Sequence, residues 1–146
     1  MKKLLFYLTM LSMAIAINSC EKETFEPDNF AKTISFKDGL FHTVTFTVSL
    51  DKTSYIVGET AKAKLSLSSS HKGSAAYVGG VTIAEHYYSL FNSTDFATCS
   101  NPCVFIEECP VGTTPSTYSA DFEVSRTGAL WPTTETKYAQ IPYEIK

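Results

Sequence analysis

The chain has 146 residues, 44% hydrophobic, 13% aromatic and 18% charged, which excludes a disordered tail, a collagen-like repeat and a coiled coil. That length holds one ordinary domain with an export segment, not two full domains. A formal charge of −3 offers no basic field to phosphate backbones, so nucleic acid is not an expected partner.

The first element is an export signal. Lys2 and Lys3 precede an almost unbroken apolar run from Leu4 to Ile17, followed at once by Ser19 and Cys20. A helix over those fourteen positions spans about 21 Å, short of the roughly 30 Å hydrocarbon core. A secretory signal therefore fits better than a membrane-spanning anchor or a core helix apolar on every face. The tetrapeptide Ile17-Asn18-Ser19-Cys20 resembles the lipobox of bacterial lipoproteins: an aliphatic residue, a variable one, a small one, then cysteine. Asn18 departs from the Ala, Ser or Thr more usual there. The resemblance implies cleavage after Ser19, a diacylglycerol thioether on Cys20 and membrane attachment through that lipid. Glu21 rather than Asp follows the cysteine, which departs from the inner-membrane retention pattern of some Gram-negative bacteria. Cys20-Glu21-Lys22-Glu23 resembles the short charged signals that send some lipoproteins to the outer face of the outer membrane; an ordinary solvated tether reads the same way.

Residues 1–19 are thus expected to be a signal peptide, 20–32 an acylated cysteine with an acidic tether, and 33–146 one domain. Two of the twelve cations leave with the signal, so ten face fifteen carboxylates. Glu21 to Lys32 carries four acids, two lysines and Pro27, an extended tether reaching at most about 40 Å.

From Thr33 the hydrophobic period is two. Val44, Phe46, Val48 and Leu50 alternate with polar residues, as do Ala61, Ala63, Leu65 and Leu67, and then Tyr118, Ala120, Phe122 and Val124. Each run puts one face on a core and the other in water, the pattern of antiparallel sheet. Further strands are expected at Ile34–Phe36, from Val81–Ala84 toward Phe91, at Val104–Ile106 and at Ala139–Ile145. Pro142 in the last has no N–H for a ladder and marks an edge or a bulge. Turns are expected at Asp51-Lys52, Gly58-Glu59, Ser68–Gly73, Gly79-Gly80, Asn101-Pro102, Gly112–Ser116 and Gly128. No ten-residue window after the signal shows a helical stripe. About seven short strands predict an all-β antiparallel sandwich.

Leu50-Asp51-Lys52, then Tyr55, then Gly58-Glu59 and an alternating strand resembles the opening of bacterial immunoglobulin-like domains. The likeness covers roughly Thr43 to Ser68. It implies an immunoglobulin-like sandwich whose tyrosine plugs one end and whose glycine permits the turn into the next strand. It implies no activity, since such sandwiches carry many unrelated functions.

Setting Cys20 aside leaves Cys99, Cys103 and Cys109, an odd number for an exported chain. If Val104–Glu108 is a strand, Cys103 and Cys109 stand roughly 20 Å apart and cannot bridge. Loop entropy gives about 2 kcal/mol for Cys99–Cys103 and about 2.8 kcal/mol for Cys99–Cys109, too close to choose between them. The turn at Ser100-Asn101-Pro102 favours Cys99–Cys103. A zinc site would recruit His86 to the three cysteines, but C-x3-C-x5-C supplies only half of the usual paired short spacings, so no metal is expected. His42 and His71 read as surface residues.

No nucleophile elbow, zinc-protease motif or phosphate-cradling loop is present. Glu107-Glu108 comes closest to a carboxylate in apolar company, and a solvated strand end explains it. The expectation is no enzyme, no catalytic residue and no cofactor. Aromatic residues are the remaining lead. Trp131 stands in an expected loop, and Tyr87 and Tyr88, being adjacent on a strand, must face opposite sides. The expected role is a lipid-anchored binding or structural module of the cell envelope, in the outer membrane, with a protein partner there. The alternative is a glycan-binding surface lipoprotein of a polysaccharide-uptake system, using Trp131 and Tyr87 or Tyr88 as its platform.

Overall fold

The computed structural model describes residues 30–146 apart from 39, 70, 129 and 130, and the side chains of residues 131–133 also lie outside the description. The signal segment, Cys20 and the tether as far as residue 29 therefore lie outside the described residues. The described elements run β1 (Lys32–Lys37), β2 (Thr43–Leu50), β3 (Ser54–Tyr55), β4 (Thr60–Leu67), β5 (Ala76–Ile83), β6 (His86–Phe91), α1 (Ser93–Thr98), β7 (Val104–Pro110), β8 (Ser116–Gly128) and β9 (Trp131–Ile145).

Two sheets, ordered β1-β2-β4-β7 and β3-β9-β8-β5-β6, enclose one core. All pairings are antiparallel except β3 with β9. The fold is an all-β sandwich, with consecutive strands shared between the sheets as in immunoglobulin-type sandwiches. The period-two runs explain it directly. Val44, Phe46, Val48 and Leu50 on β2, and Ala61, Ala63, Leu65 and Leu67 on β4, are all buried against Ala120, Phe122 and Val124 on β8 and Ala139, Ile141, Tyr143 and Ile145 on β9. Their polar neighbours are more exposed, with the exception of Ser49, which is buried at 6% exposure.

Tyrosines close the end of the sandwich at which β1 begins and β9 finishes. Tyr55 is 1% exposed and meets Tyr143 edge-on at 5.8 Å. Its hydroxyl donates to Asp51 Oδ1 and lies equally close to the Lys52 carbonyl, both at 2.7 Å. Asp51 Oδ1 also accepts the Lys62 N–H at 2.9 Å, so one carboxylate ties the β2–β3 turn to β4. Gly58 follows at φ +81°, a left-handed conformation that costs glycine little. Tyr118 stacks on Tyr143 at 5.6 Å and donates its hydroxyl to the Thr114 carbonyl at 2.9 Å. That bond, from the start of a strand back across the preceding corner, is the tyrosine corner of Greek-key sandwiches.

Three local readings need correction. Gly79-Gly80 is no turn: both residues lie within β5. The turn sits instead at Ala84-Glu85, at φ +49° and +66°, so the expected single run toward Phe91 is a hairpin of two strands. A helical turn, α1, follows β6, set by a capping box in which Asn92 accepts from the Thr94 and Asp95 N–H groups and Asp95 accepts from the Asn92 N–H. Six residues are too few to print a helical period. Lys72 Nζ closes the other end of the helix, donating to the carbonyls of Phe96 at 2.9 Å, of Ala97 at 3.2 Å and of Cys99. Pro142 lies inside β9, and its missing donor does no harm. Glu144 and Lys146 send their N–H groups to the β3 side, so Pro142 faces that side too, where β3 covers only Glu144 and Ile145.

Candidate functional site

The two glycines that resemble a turn shape the surface of the five-stranded sheet. On β5, Tyr77, Gly79, Val81 and Ile83 point into the core, while Val78, Gly80 and Thr82 point outward. A Cβ on Gly79 would stand 2.3 Å from the Phe91 ring, and one on Gly80 would stand 2.3 Å from Tyr87 Oη. Gly79 therefore makes room for a core ring. Gly80 makes room for Tyr87 to lie across the outer face of β5.

The adjacent tyrosines part as strand alternation requires. Tyr87 is 55% exposed. Tyr88 is half-buried against the core and lines a shallow recess of about 280 Å³ with Ala84, His86, Pro110, Gly112 and Thr113. Register then builds a row on the outer face: Gly80 is opposite Glu123 on β8, and Glu123 is opposite Tyr138 on β9. Tyr138 is 67% exposed, and neighbouring strands lie about 4.8 Å apart. The Glu123 carboxylate thus has an aromatic side chain on either side. Burial, then the nearby negative charge of Glu123, hold the Tyr87 hydroxyl above its usual pKa, which sets that hydroxyl beside the Glu123 carboxylate. The face continues through Thr82, Asp121 and Gln140 in one register row, and through Val78, 43% exposed, beside Ser125 and Thr136, whose hydroxyls are 2.7 Å apart.

This surface is flat, aromatic and acidic. Tyrosine supplies large contact area with little rotamer entropy to lose. Carboxylate and amide groups between the rings accept and donate hydrogen bonds without closing a pocket. Such a face suits a protein surface or the faces of sugar rings.

The other candidates are spread across the molecule. Trp131 opens β9 opposite Gly128 instead of standing in a loop, and its side chain lies outside the described residues. Cys99 and Cys103 are bridged, with Cα atoms 5.5 Å apart. Cys109 keeps a free thiol, fully buried, and burial followed by the charge of Glu107 pushes its pKa up to about 12. With two sulfurs in a disulfide and the third protonated, the cysteines offer no thiolates for His86, which lies 2.8 Å from the Ala84 carbonyl. No group of three or more His, Cys, Asp or Glu side chains suited to a metal ion occurs among the described residues. His42 and His71 meet at 4.6 Å between ring centroids, beside the fully exposed Leu40-Phe41 tip of the β1–β2 hairpin.

Sequence reading had Tyr87 but missed Tyr138 and Glu123. The alternation expected over Ala139–Ile145, carried one residue back, puts Tyr138 on the outer face. No family model matches the chain, and neither a curated protein nor a solved structure gives a match.

Proposed function

We propose that this chain is a lipoprotein of a bacterial cell envelope, acylated at Cys20 and directed to the outer membrane. Its sandwich would serve as a non-enzymatic binding module, engaging a protein partner through the outer face of the five-stranded sheet. The signal, the lipobox and the charged residues after Cys20 support the address. The observation that carries the binding role is the row Tyr87–Glu123–Tyr138, with both tyrosines exposed, on a sheet face that no other described element covers. Exposed aromatic residues at the centre of a flat face are where binding energy concentrates in protein interfaces.

A glycan ligand is the second reading, favoured by the carboxylate set between two tyrosines. Sugar rings would stack on the aromatic side chains while Glu123 accepts their hydroxyls.

Two experiments test the proposal. Palmitate labelling and detergent-phase partitioning should both disappear in Cys20→Ser, and a soluble, unlabelled parent would contradict the address. Tyr138→Ala, with Tyr87→Ala, should weaken binding to the envelope partner at least tenfold, while Ser66→Ala on the other sheet should not. Under the glycan reading, the same tyrosine changes abolish retention on a glycan panel. A panel that stays blank with the parent chain rejects that reading.

A further inference from the structure

The four-stranded sheet treats its two edges differently. On β1 the outward carbonyls are filled by side chains: Lys137 Nζ donates to the Ser35 carbonyl at 2.6 Å, and Arg126 donates to that of Lys37. This is a protected edge. The opposite edge is β7, paired with β4 on one side only. The Leu67 N–H bonds to the Cys103 carbonyl and the Val111 N–H to the Glu59 carbonyl, so the odd-numbered residues of this strand turn their backbone groups toward β4. Val104, Ile106 and Glu108 therefore turn theirs outward. Among the described residues no side chain fills these positions. Val104 is 41% and Ile106 51% exposed, and the strand follows directly on the Cys99–Cys103 bridge.

We propose that β7 pairs antiparallel with β7 of a second copy of this chain, about a two-fold axis through Ile106, joining the two four-stranded sheets into one. The strand's own chemistry selects that register. With Ile106 opposite its symmetry mate, Val104 meets Glu108 and Phe105 meets Glu107, so no carboxylate faces another, and the outward groups of three residues per strand all pair. Shifting the axis to Glu107 sets two carboxylates directly opposite, which is destabilising, and puts Val104 against Pro110, which has no N–H. Shifting it to Phe105 leaves Glu108 opposite Pro102, so that only Val104 and Ile106 pair fully on each strand. Self-complementarity of this kind is what a two-fold interface requires. The pairing uses a different sheet from the tyrosine row and leaves that face open.

Cross-linking reads the register. Paired Cα atoms across a hydrogen-bonded antiparallel site lie about 5.5 Å apart, within disulfide range, whereas Val104 and its mate would be about 14 Å apart. The full chain carrying Ile106→Cys, oxidised mildly in intact cells, is expected to run as a dimer on a non-reducing gel, while Val104→Cys and the parent chain stay monomeric. The native Cys109 thiol is buried and does not compete. Ile106→Lys, which sets two ammonium groups on the axis, should lower the dimer fraction of the detergent-solubilised chain at least tenfold by light scattering, with unchanged circular dichroism. Equal cross-linking of both cysteine variants, an Ile106→Cys adduct of any mass other than twice the chain, or a parent that remains monomeric at every concentration overturns the proposal.

Discussion

Gly79 and Gly80 are neighbours on one strand, yet a methyl group on each should have opposite consequences. Neither has a φ in the left-handed region, so alanine fits both backbones and by itself stabilises by about 0.4–1 kcal/mol through the unfolded chain. At Gly79 the new Cβ meets Phe91 Cε1 at 2.3 Å, Cζ at 2.9 Å and Cδ1 at 3.1 Å. Phe91 is 1% exposed and stacked between Phe46 at 6.0 Å and Phe105 at 4.6 Å, so its ring has nowhere to go. Overpacking of this kind costs about 1–3 kcal/mol; with the backbone gain subtracted, Gly79→Ala should lose about 1.5 kcal/mol. That corresponds to a fall of about 6 °C in Tm for a domain of this size. At Gly80 the Cβ meets only the far end of the Tyr87 ring, at 2.3–2.6 Å, and that exposed ring can swing away. Gly80→Ala should melt within about 2 °C of the parent yet displace Tyr87 from Glu123 and weaken ligand binding. Urea and thermal unfolding followed by circular dichroism measure both. A Gly79→Ala chain as stable as the parent, or a Gly80→Ala chain destabilised equally, would refute this account of how the glycines are used.

Three further outcomes follow from the same geometry. Tyr118→Phe removes the bond to the Thr114 carbonyl and should cost about 1 kcal/mol in urea unfolding, whereas Tyr138→Phe should cost nothing measurable. Glu85→Gly relieves a left-handed residue at φ +66° and should stabilise by about 1 kcal/mol; a loss of stability would contradict the hairpin geometry. Burial, ahead of nearby carboxylates, holds the Tyr55 hydroxyl far above its usual 10.0 and moves Tyr77 up to about 12, as it moves the Cys109 thiol from 9.0 to about 12. Unfolded chains release these protons first, so stability is full below pH 9 and declines as the pH passes about 9 to 10. The urea midpoint should fall steadily over that range, and a midpoint unchanged to about pH 11 would contradict the burial of these groups.

Most of the sandwich was legible where one face of a strand is buried and the other wet. β2, β4 and β8 print that alternation, and the pattern marks their buried residues except Ser49, while Tyr118, which it also marks, is only half-buried. The β5–β6 hairpin was not legible, for a physical reason: its turn residues, Ala84 and Glu85, lack the side-chain chemistry of a left-handed turn, while the glycine pair that has it sits mid-strand. There the missing side chains are replaced by the rings of Phe91 and Tyr87, contacts between β5 and β6 that local sequence does not record. The disulfide was legible because a strand holds Cys103 and Cys109 apart while a turn brings Cys99 and Cys103 together. The tyrosine row was half legible: alternation exposes one of Tyr87 and Tyr88, but register alone places Glu123 beside Tyr138.

The central proposal is that the outer face of the five-stranded sheet is the working surface of the domain. Position-specific photo-cross-linking on intact cells tests it most directly, with a photoreactive side chain at Tyr138 on that face and at Ser66 on the other sheet. The account predicts one discrete adduct from position 138, lost when Gly80→Ala displaces Tyr87, and none from position 66. Adducts from position 66 alone, or equal and diffuse labelling from both, would contradict it.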